Sequence, residues 1–228
     1  MSAPLQHIAV IMDGNRRWAK EHGKTSFEGH KAGYDRMKEI ADLCLDRGIK
    51  VLTVFAFSTE NWKRTQEEVG YLMDLIELAV SKDLEQYKER GVRVRVIGRR
   101  EGLRPSVLKA IERTESETAG NSKATFCICL NYGGQQEIVD ACKKIVAEGL
   151  SVNDVTEETM THRMYWPDMP PPDLVIRTSG EERLSNFLTW HTTYSEIYWC
   201  KRHWPEFDAT ELDAAIAEYA TRQRRIGE

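Results

Sequence analysis

The chain has 228 residues, of which 41% are apolar and 30% are charged, and its formal net charge at pH 7 is −4. This length fits one α/β domain over residues 1–228, and the mildly acidic balance argues against a protein whose partner is nucleic acid. No apolar run approaches the roughly 18 residues of a membrane helix, and the first residues lack the pattern of a signal peptide, so we expect a cytoplasmic protein.

The first predicted strand leads into the most informative stretch of the chain. Residues 7–12 form a short apolar run typical of a buried parallel strand, and the Asp-Gly-Asn sequence at 13–15 favours a turn and the start of a helix. A helix start offers free N–H groups, Arg16 and Arg17 add positive charge, and Asp13 offers a carboxylate. These groups suit a diphosphate together with a Mg²⁺ ion. The alternative is a capped strand-to-helix turn whose arginines are solvated.

Strand and helix patterns alternate along the rest of the chain. Apolar residues at helical spacing predict helices, and short β-branched runs predict strands. The predicted helices cover 34–46, 67–90, 104–119 and 135–148, and the further strands cover 51–57, 92–97, 124–130 and 173–177. This alternation predicts an α/β fold with a central parallel sheet of about six strands, flanked by helices, with ligands at the carboxyl ends of the strands.

Spacing excludes the common nucleotide-binding and zinc motifs. Residues 23–25 end like a P-loop, but Trp18 stands where the first glycine of that motif is required. No G-x-G-x-x-G follows a predicted strand, and the histidines and cysteines lack the spacing of a zinc site. His30 lies between Gly29 and Gly33, one turn beyond the basic stretch, and is the histidine that we expect at a functional site.

A second basic cluster follows the strand predicted at 173–177. Arg177 and Arg183 share a turn with several hydroxyl side chains, which suits a second anion pocket. Because both clusters follow strands of one parallel sheet, they are expected at the same edge, and two pockets indicate two anionic substrates. The alternative is that these arginines pair with Glu181 and Glu182 at the surface.

Six longer motifs and a terminal one occur in a fixed order along the chain. They are Asp13-Gly14-Asn15-x-Arg17-Trp18-Ala19, Gly29-His30-x-x-Gly33, Phe57-Ser58-x-Glu60-Asn61-Trp62-x-Arg64, Asn131-Tyr132-Gly133-Gly134, Arg177-Thr178-x-Gly180-Glu181-x-Arg183-Leu184-Ser185-Asn186-Phe187, Tyr194-Ser195-Glu196 and Arg225-Ile226-Gly227. This set resembles the motifs of the cis-prenyltransferases, the family of undecaprenyl and dehydrodolichyl diphosphate synthases. The resemblance implies an undecaprenyl diphosphate synthase-like fold, a homodimer, and a hydrophobic tunnel beneath the carboxyl edge of the sheet.

The resemblance also implies the cofactor, Mg²⁺, and the roles of individual residues. Asp13 would hold Mg²⁺ with the assistance of Glu196, and Arg225 and Gly227 would reach over from the other subunit. The expected catalytic residues are Asp13, Asn15, His30, Ser58 and Asn61. The expected substrate-binding residues are Gly14, Asn15, Arg16, Arg17, His30 and Arg64 around the allylic diphosphate, Arg177, Arg183 and Ser185 around the five-carbon partner, Trp18, and a mobile loop with Ser58, Glu60, Asn61 and Trp62.

We therefore expect a Mg²⁺-dependent isoprenyl diphosphate synthase that joins an allylic diphosphate (dimethylallyl, geranyl or farnesyl) to isopentenyl or dimethylallyl diphosphate. The expected product is a cis-polyprenyl, undecaprenyl-like diphosphate, and peripheral membrane contact would come through this lipid. A short or irregular, lavandulyl-type product stays open because Ser26, Thr189, His191 and Thr193 depart from the family pattern near the pockets. A non-catalytic partner subunit and a nucleotide-binding α/β protein are further alternatives, disfavoured by the intact charged set and the missing glycine loop.

The tunnel is expected along the helix at 67–90 and the strands at 51–57 and 124–130. These segments are largely apolar, so a tunnel is feasible, but the sequence does not fix its depth. The residues expected to line it are Phe55, Phe57, Tyr71, Met73, Phe126 and Cys129.

Overall fold

Six parallel strands form the centre of the structure, a computed structural model that describes residues 4–222. They are β1 (His7–Ile11), β2 (Val51–Ser58), β3 (Val92–Ile97), β4 (Ala124–Tyr132), β5 (Leu174–Arg177) and β6 (Glu196–Trp199). The strand order is β3-β4-β2-β1-β5-β6, and every neighbouring pair is parallel. The predicted α/β fold with a parallel sheet of about six strands is confirmed.

Helices flank this sheet. Within residues 4–222 they are α1 (Asn15–Glu21), α2 (Ser26–Asp46), α3 (Gln66–Ser81), α4 (Leu84–Glu89), α5 (Pro105–Thr118), α6 (Gly134–Ala147), α7 (Glu157–Thr161) and α8 (Ala209–Thr221). None of these helices is long and apolar enough to cross a membrane. The expected cytoplasmic location stays a prediction.

The second helix starts earlier than the sequence pattern predicted. It begins at Ser26 rather than at residue 34, because Thr25 forms a capping box with Glu28. The Thr25 side chain accepts a hydrogen bond from the Glu28 N–H at 3.3 Å, and the Glu28 carboxylate accepts one from the Thr25 N–H at 2.8 Å. Gly29 and Gly33, which in the sequence look like loop residues, therefore lie inside the helix.

The single helix predicted over 67–90 is two helices. α3 ends at Ser81, α4 begins at Leu84, and the Asp83 side chain between them is buried. Asp83 accepts hydrogen bonds from the Tyr34 hydroxyl at 2.8 Å and the Lys38 ammonium at 2.7 Å, both on α2. The apolar spacing continues across the break, so periodicity alone could not reveal it.

The core occupies both faces of the sheet. Along β1, Ile8 and Val10 face one apolar cluster and Ala9 and Ile11 face the other, so the strand is buried on both sides as its composition predicted. The first cluster includes side chains of α2, α3, α5 and α8. The second includes Phe187 and other side chains from the segments that precede and follow β5.

The site follows from the strand order. β1 lies between β2 and β5, and the chain leaves β1 toward β2 but leaves β5 toward β6, in the opposite direction. Their carboxyl ends therefore open a crevice between diverging connections, the usual position of a ligand site in such sheets. Residues 13 and 177, from the two predicted basic clusters, lie at this crevice.

Candidate active site

An ion pair joins the ends of β1 and β5. The Asp13 Oδ2 atom accepts a hydrogen bond from Arg177 Nη2 at 2.9 Å, and Asp13 Oδ1 lies 3.0 Å from Arg17 Nη2. Burial raises the pKa of Asp13, but the hydrogen bonds and charges of Arg177 and Arg17 together outweigh this effect, so the pKa lies below its usual value. Asp13 is therefore an anion held between two guanidinium groups.

The same arginines tie the loops after β1 and β5 together. Arg177 also donates to the Ser185 hydroxyl at 2.8 Å and to the carbonyl oxygen of Arg183. Arg17 donates to Glu181 at 3.0 Å and to the Ser179 carbonyl at 3.2 Å. The two basic clusters predicted from the sequence thus form one site.

Gly14 is required by its conformation and by its neighbours. Its φ is 104°, and a Cβ at this position would lie 2.7 Å from both His203 Nδ1 and Ser179 Oγ. Those two atoms are themselves 2.6 Å apart, and His203 Nε2 lies 3.1 Å from Glu21. The turn after β1 is therefore packed closely against the loop after β5.

Two glycines let α2 approach α1 and bring His30 to the site. A Cβ at Gly33 would lie 2.4 Å from Asn15 Oδ1, and a Cβ at Gly29 would lie 2.3 Å from the Asn15 carbonyl oxygen. Asn15 Oδ1 is buried and has no hydrogen-bond partner in the described part of the chain. This amide oxygen can be satisfied only by a hydrogen-bond donor or a cation.

Glu68 is a site residue that the sequence analysis missed. Its carboxylate lies 3.1 Å from His30 Nε2, 2.9 Å from Arg64 Nη1 and 3.8 Å from Arg16 Nη1. Burial lowers the pKa of His30, and the hydrogen bond with Glu68 offsets only part of this. Glu68 follows Arg64 by four residues, but Arg64 precedes the helix predicted at 67–90, so helical spacing did not point to the pair.

Two polar cavities adjoin at Asp13. The first, of about 650 Å³, opens between the turn after β1, α2 and Arg64, and the second, of about 520 Å³, opens toward Arg177 and Ser185. Both are lined by Asp13, Asn61 and Arg64. The basic side chains lining the first cavity are Arg16, Arg17, Lys20, His30 and Arg64.

The predicted mobile loop is a 3-10 turn, Thr59–Lys63, with one internal hydrogen bond and two hydrogen bonds to other parts of the chain. The Ser58 N–H donates to Asn61 Oδ1 at 3.1 Å, and the Trp62 indole N–H donates to Asn131 Oδ1 at 2.7 Å. Glu60 accepts a hydrogen bond from the Asn186 side-chain amide at 3.2 Å. The loop therefore lies over the second cavity, which Ser58, Glu60 and Asn61 line.

Three predicted substrate-binding residues, Trp18, Trp62 and Arg183, do not line these cavities. Trp18 stacks on His22 at 4.6 Å between ring centroids. Arg183 is 60% exposed and pairs with Glu181, and its role at the five-carbon diphosphate stays a prediction. Arg225 and Gly227 lie outside the described residues.

Glu196 lies at the opposite end of the sheet from Asp13. It is the first residue of β6 and is level with Leu174, so it lies three residues, about 10 Å, from the carboxyl edge. Its carboxylate pairs with Arg222 at 2.8 Å. Glu196 and Asp13 of one chain therefore do not bind the same metal ion. The two side chains could meet only between two copies of the chain. Such a meeting fits the predicted homodimer, and the homodimer stays a prediction.

Two small apolar cavities lie beneath the polar ones. The upper one, of about 70 Å³, reaches from Met12 and Asn15 down between α2, α3 and the sheet, and the lower one, of about 40 Å³, continues toward the amino ends of the strands. Met37 of α2 lines both. The tunnel was predicted close to these apolar cavities, but without α2. Gly33, Tyr34 and Met37 of α2 line the upper cavity.

Most residues predicted to line the tunnel are elsewhere. Phe55 and Cys129 belong to the second apolar cluster, and Tyr71 packs on Phe27 at 4.9 Å between centroids. Phe126 lines the lower cavity. Alternation along a strand decides which face a side chain takes, and the sequence did not show which face carries the cavity.

The donor set fits Mg²⁺ bound jointly with a phosphate group. Asp13 supplies one carboxylate, and its side chain is 29% exposed toward the cavities. Within residues 4–222 no three His, Cys, Asp or Glu side chains converge as a metal cage. Mg²⁺ is commonly held by one or two carboxylates together with substrate phosphates, so the single carboxylate is consistent with such a site.

Two solved structures have the same fold as this chain. The crystal structure of lavandulyl diphosphate synthase from Lavandula x intermedia, in complex with dimethylallyl diphosphate, matches with a TM-score of 0.94 and 34% identity over 98% of both chains. A probable undecaprenyl diphosphate synthase from Campylobacter jejuni matches with a TM-score of 0.84 and 31% identity over 100% of both chains.

Sequence comparison gives the same family. The profile described as "Putative undecaprenyl diphosphate synthase" matches residues 11–227. An isoprenyl transferase of Thermotoga maritima is 47% identical over 97% of this chain and 96% of its own length, and one of Agrobacterium fabrum is 46% identical over 97% and 92%. The chain therefore belongs to the undecaprenyl diphosphate synthase family and is an enzyme of the cis-prenyltransferase type.

Proposed function

We propose that this enzyme joins an allylic diphosphate to a five-carbon isoprenyl diphosphate in a Mg²⁺-dependent reaction. The observation that carries the proposal is the pair of adjoining basic cavities that share Asp13 and Arg64. Two anionic substrates could lie side by side there, each with its own guanidinium groups. The apolar cavity that begins beside Asn15 is positioned to receive the hydrocarbon of the allylic substrate.

The first cavity would hold the diphosphate of the allylic substrate. Arg16, Arg17 and Arg64 would bind its oxygens, and His30 would donate from a ring nitrogen. The bond between the allylic carbon and oxygen breaks, and these donors stabilise the charge that develops on the departing diphosphate. No nucleophilic side chain is needed.

The second cavity would hold the five-carbon partner, with Arg177 and Ser185 at its diphosphate. Its alkene supplies the electron pair of the new carbon–carbon bond, and a proton then leaves the adjacent carbon. Ser58, Glu60 and Asn61 cover this cavity and would exclude water from the reacting carbons.

Asp13 would hold Mg²⁺ together with phosphate oxygens. The ion would supply charge neutralisation at the departing diphosphate. Because Arg17 and Arg177 already contact both Asp13 oxygens, the carboxylate is kept ionised and oriented toward the boundary of the two cavities.

We propose a regular cis-polyprenyl diphosphate as the product and a homodimer as the active form. The bacterial isoprenyl transferases at 46% and 47% identity over nearly the full chain support the regular product. A short or irregular product is the second candidate, because the lavandulyl diphosphate synthase structure matches with a TM-score of 0.94 and the apolar cavities are small.

The test is an assay of the purified chain with Mg²⁺, isopentenyl diphosphate and either dimethylallyl, geranyl or farnesyl diphosphate. Mass spectrometry of the dephosphorylated products should give a ladder of isoprene additions. One product of two or three units made from dimethylallyl diphosphate alone would favour the second candidate. No carbon–carbon bond formation with any pair would contradict the proposed function.

A further inference from the structure

Three basic side chains from three separate segments meet at Glu68. Arg16 comes from α1, His30 from α2, and Arg64 from the end of the 3-10 turn that precedes α3. The Glu68 side chain is only 12% exposed, although a glutamate in the first turn of a helix is usually solvated. Its position is fixed further by its backbone N–H, which donates to the Thr65 hydroxyl at 3.3 Å.

Glu68 lies behind these basic side chains rather than in the cavity. Arg16, His30 and Arg64 line the 650 Å³ cavity, whereas Glu68 is not among its lining residues in the described part of the chain. A carboxylate in the cavity would repel a diphosphate, but a carboxylate behind the basic wall can act only through the groups it contacts.

We propose that Glu68 is a positioning residue that holds His30 and Arg64 in the orientation that binds the allylic diphosphate. This inference rests on the proposed function. The Arg64 Nη1 and His30 Nε2 atoms share one oxygen, Oε1, at 2.9 and 3.1 Å. The other oxygen faces Arg16 at 3.8 Å.

Holding these groups lowers the cost of binding. A long arginine side chain loses rotamer freedom when it binds a ligand, and Glu68 removes that freedom from Arg64 before the substrate arrives. The carboxylate also offsets the repulsion between the Arg16 and Arg64 guanidinium groups while the cavity lacks an anion.

Glu68 also assigns the proton of His30. An ionised carboxylate only accepts hydrogen bonds, so Nε2 must carry the proton that faces Glu68, and Nδ1 can donate to the diphosphate only when the ring is protonated on both nitrogens.

The experiment compares Glu68→Gln with Glu67→Gln. Glu67 is the preceding residue in the same helical turn, is exposed, and has no ion pair or hydrogen bond in the described part of the chain, so it is a matched control. Glutamine keeps the size of Glu68 but turns an amide N–H or a weaker acceptor toward Arg64. We expect the KM for the allylic substrate to rise roughly tenfold or more, with a much smaller change in the KM for isopentenyl diphosphate.

A double-mutant cycle separates positioning from a general structural role. In an Arg64→Ala background, Glu68→Gln should raise the allylic KM less than it does in the wild type, because one of the groups it holds is gone. Thermal unfolding should give the same Tm for Glu68→Gln and wild type within about 2 °C.

Each other outcome overturns the inference. An allylic KM within about twofold of wild type, equal increases in both KM values, full additivity with Arg64→Ala, or an activity loss explained by a lower Tm would each show that Glu68 does not position the allylic site. These outcomes are distinct from failure of the proposed function, in which the wild-type chain itself forms no prenyl product.

Discussion

At the scale of single residues, the site depends on which charges are satisfied by the protein and which are left for substrate. Asp13 and Arg177 satisfy each other across the β1–β5 crevice, and Arg17 is shared between Asp13 and Glu181. Lys20 lines the 650 Å³ cavity and has no acidic partner in the described residues. The cavity therefore keeps positive charge for an anion even after the internal ion pairs are formed.

The first prediction concerns the carboxylate at the junction of the cavities. Asp13→Asn keeps the shape of the side chain and one acceptor for Arg177 but removes the negative charge that Mg²⁺ requires. We expect turnover to fall by at least about a hundredfold while the far-UV circular dichroism spectrum is retained. Glu182→Gln is the control, because Glu182 is exposed in the loop after β5 and the same carboxylate-to-carboxamide change there should leave the rate unchanged. A variant that keeps more than a few per cent of the rate, still with Mg²⁺ required, would contradict the role of Asp13.

The second prediction concerns Arg183, which is 60% exposed and bound to Glu181 in this structure. If Arg183 binds the five-carbon diphosphate, it must leave Glu181 when that substrate arrives. Arg183→Ala should then raise the KM for isopentenyl diphosphate by about tenfold and the KM for the allylic substrate much less. Steady-state kinetics with each substrate varied in turn will measure both values. Equal effects on the two substrates would mean that the surface pairing is the only role of Arg183.

At the scale of elements, the sequence predicted the strands and the position of the two basic clusters better than the points where helices begin and end. Strands β1 to β5 and both basic clusters were predicted because buried parallel strands are apolar and the residues after them are polar. The start of α2 was wrong because Gly29 and Gly33 look like loop residues in isolation. Their actual role, close contact with Asn15, depends on the packing of α1 on α2 and is a tertiary property.

Glu196 illustrates the same limit. The sequence shows a carboxylate in a recognisable motif, but which end of a strand it occupies depends on register against β5, which no local pattern specifies. Glu68 was missed for a related reason, since its three basic partners are separated from one another along the chain and converge only when α1, α2 and α3 pack.

The third prediction tests the contact between α1 and α2. Alanine is favoured over glycine inside a helix by about 1 kcal/mol, so Gly33→Ala would be stabilising if space allowed. Here its Cβ would lie 2.4 Å from Asn15 Oδ1, so we expect Asn15 to shift and kcat/KM to fall by at least about tenfold. Gly70→Ala is the matched control, because it is also helical and a Cβ there meets nothing within 4 Å. That control should raise the Tm by about 2–4 °C with unchanged activity. Equal activity of the two variants would contradict a role for the close contact.

At the scale of the whole molecule, the polar and apolar spaces form a series from the carboxyl edge of the sheet toward its amino edge. The two basic cavities come first, then the upper apolar cavity between α2 and α3, then the lower one near Tyr87 and Phe126. The buried contacts of Asp83 with Tyr34 and Lys38 tie α2 to the break between α3 and α4 beside this path. The helix break, which periodicity could not predict, thus lies beside the lower apolar cavity, which Asp83 and Tyr87 line.

The last prediction is that Met37 limits the length of the product. Met37 is the side chain that lines both apolar cavities, so a growing hydrocarbon in the upper cavity reaches it before it can enter the lower one. Met37→Ala should join the two cavities and shift the products toward longer chains by at least about one isoprene unit, whereas Met37→Trp should shift them toward shorter chains. Leu75→Ala is the control, because Leu75 lines only the upper cavity, and widening that space without opening the lower one should change the length distribution less. Truncation of the buried Met37 side chain is expected to cost roughly 2–5 kcal/mol of stability, and truncation of the half-buried Leu75 less, so the assays should be run well below the Tm of each variant. Mass spectrometry of the dephosphorylated products at equal substrate conversion gives the distribution directly. If both Met37 variants made the wild-type range of products, the chain would leave the site by another route and the two cavities would have no part in determining its length.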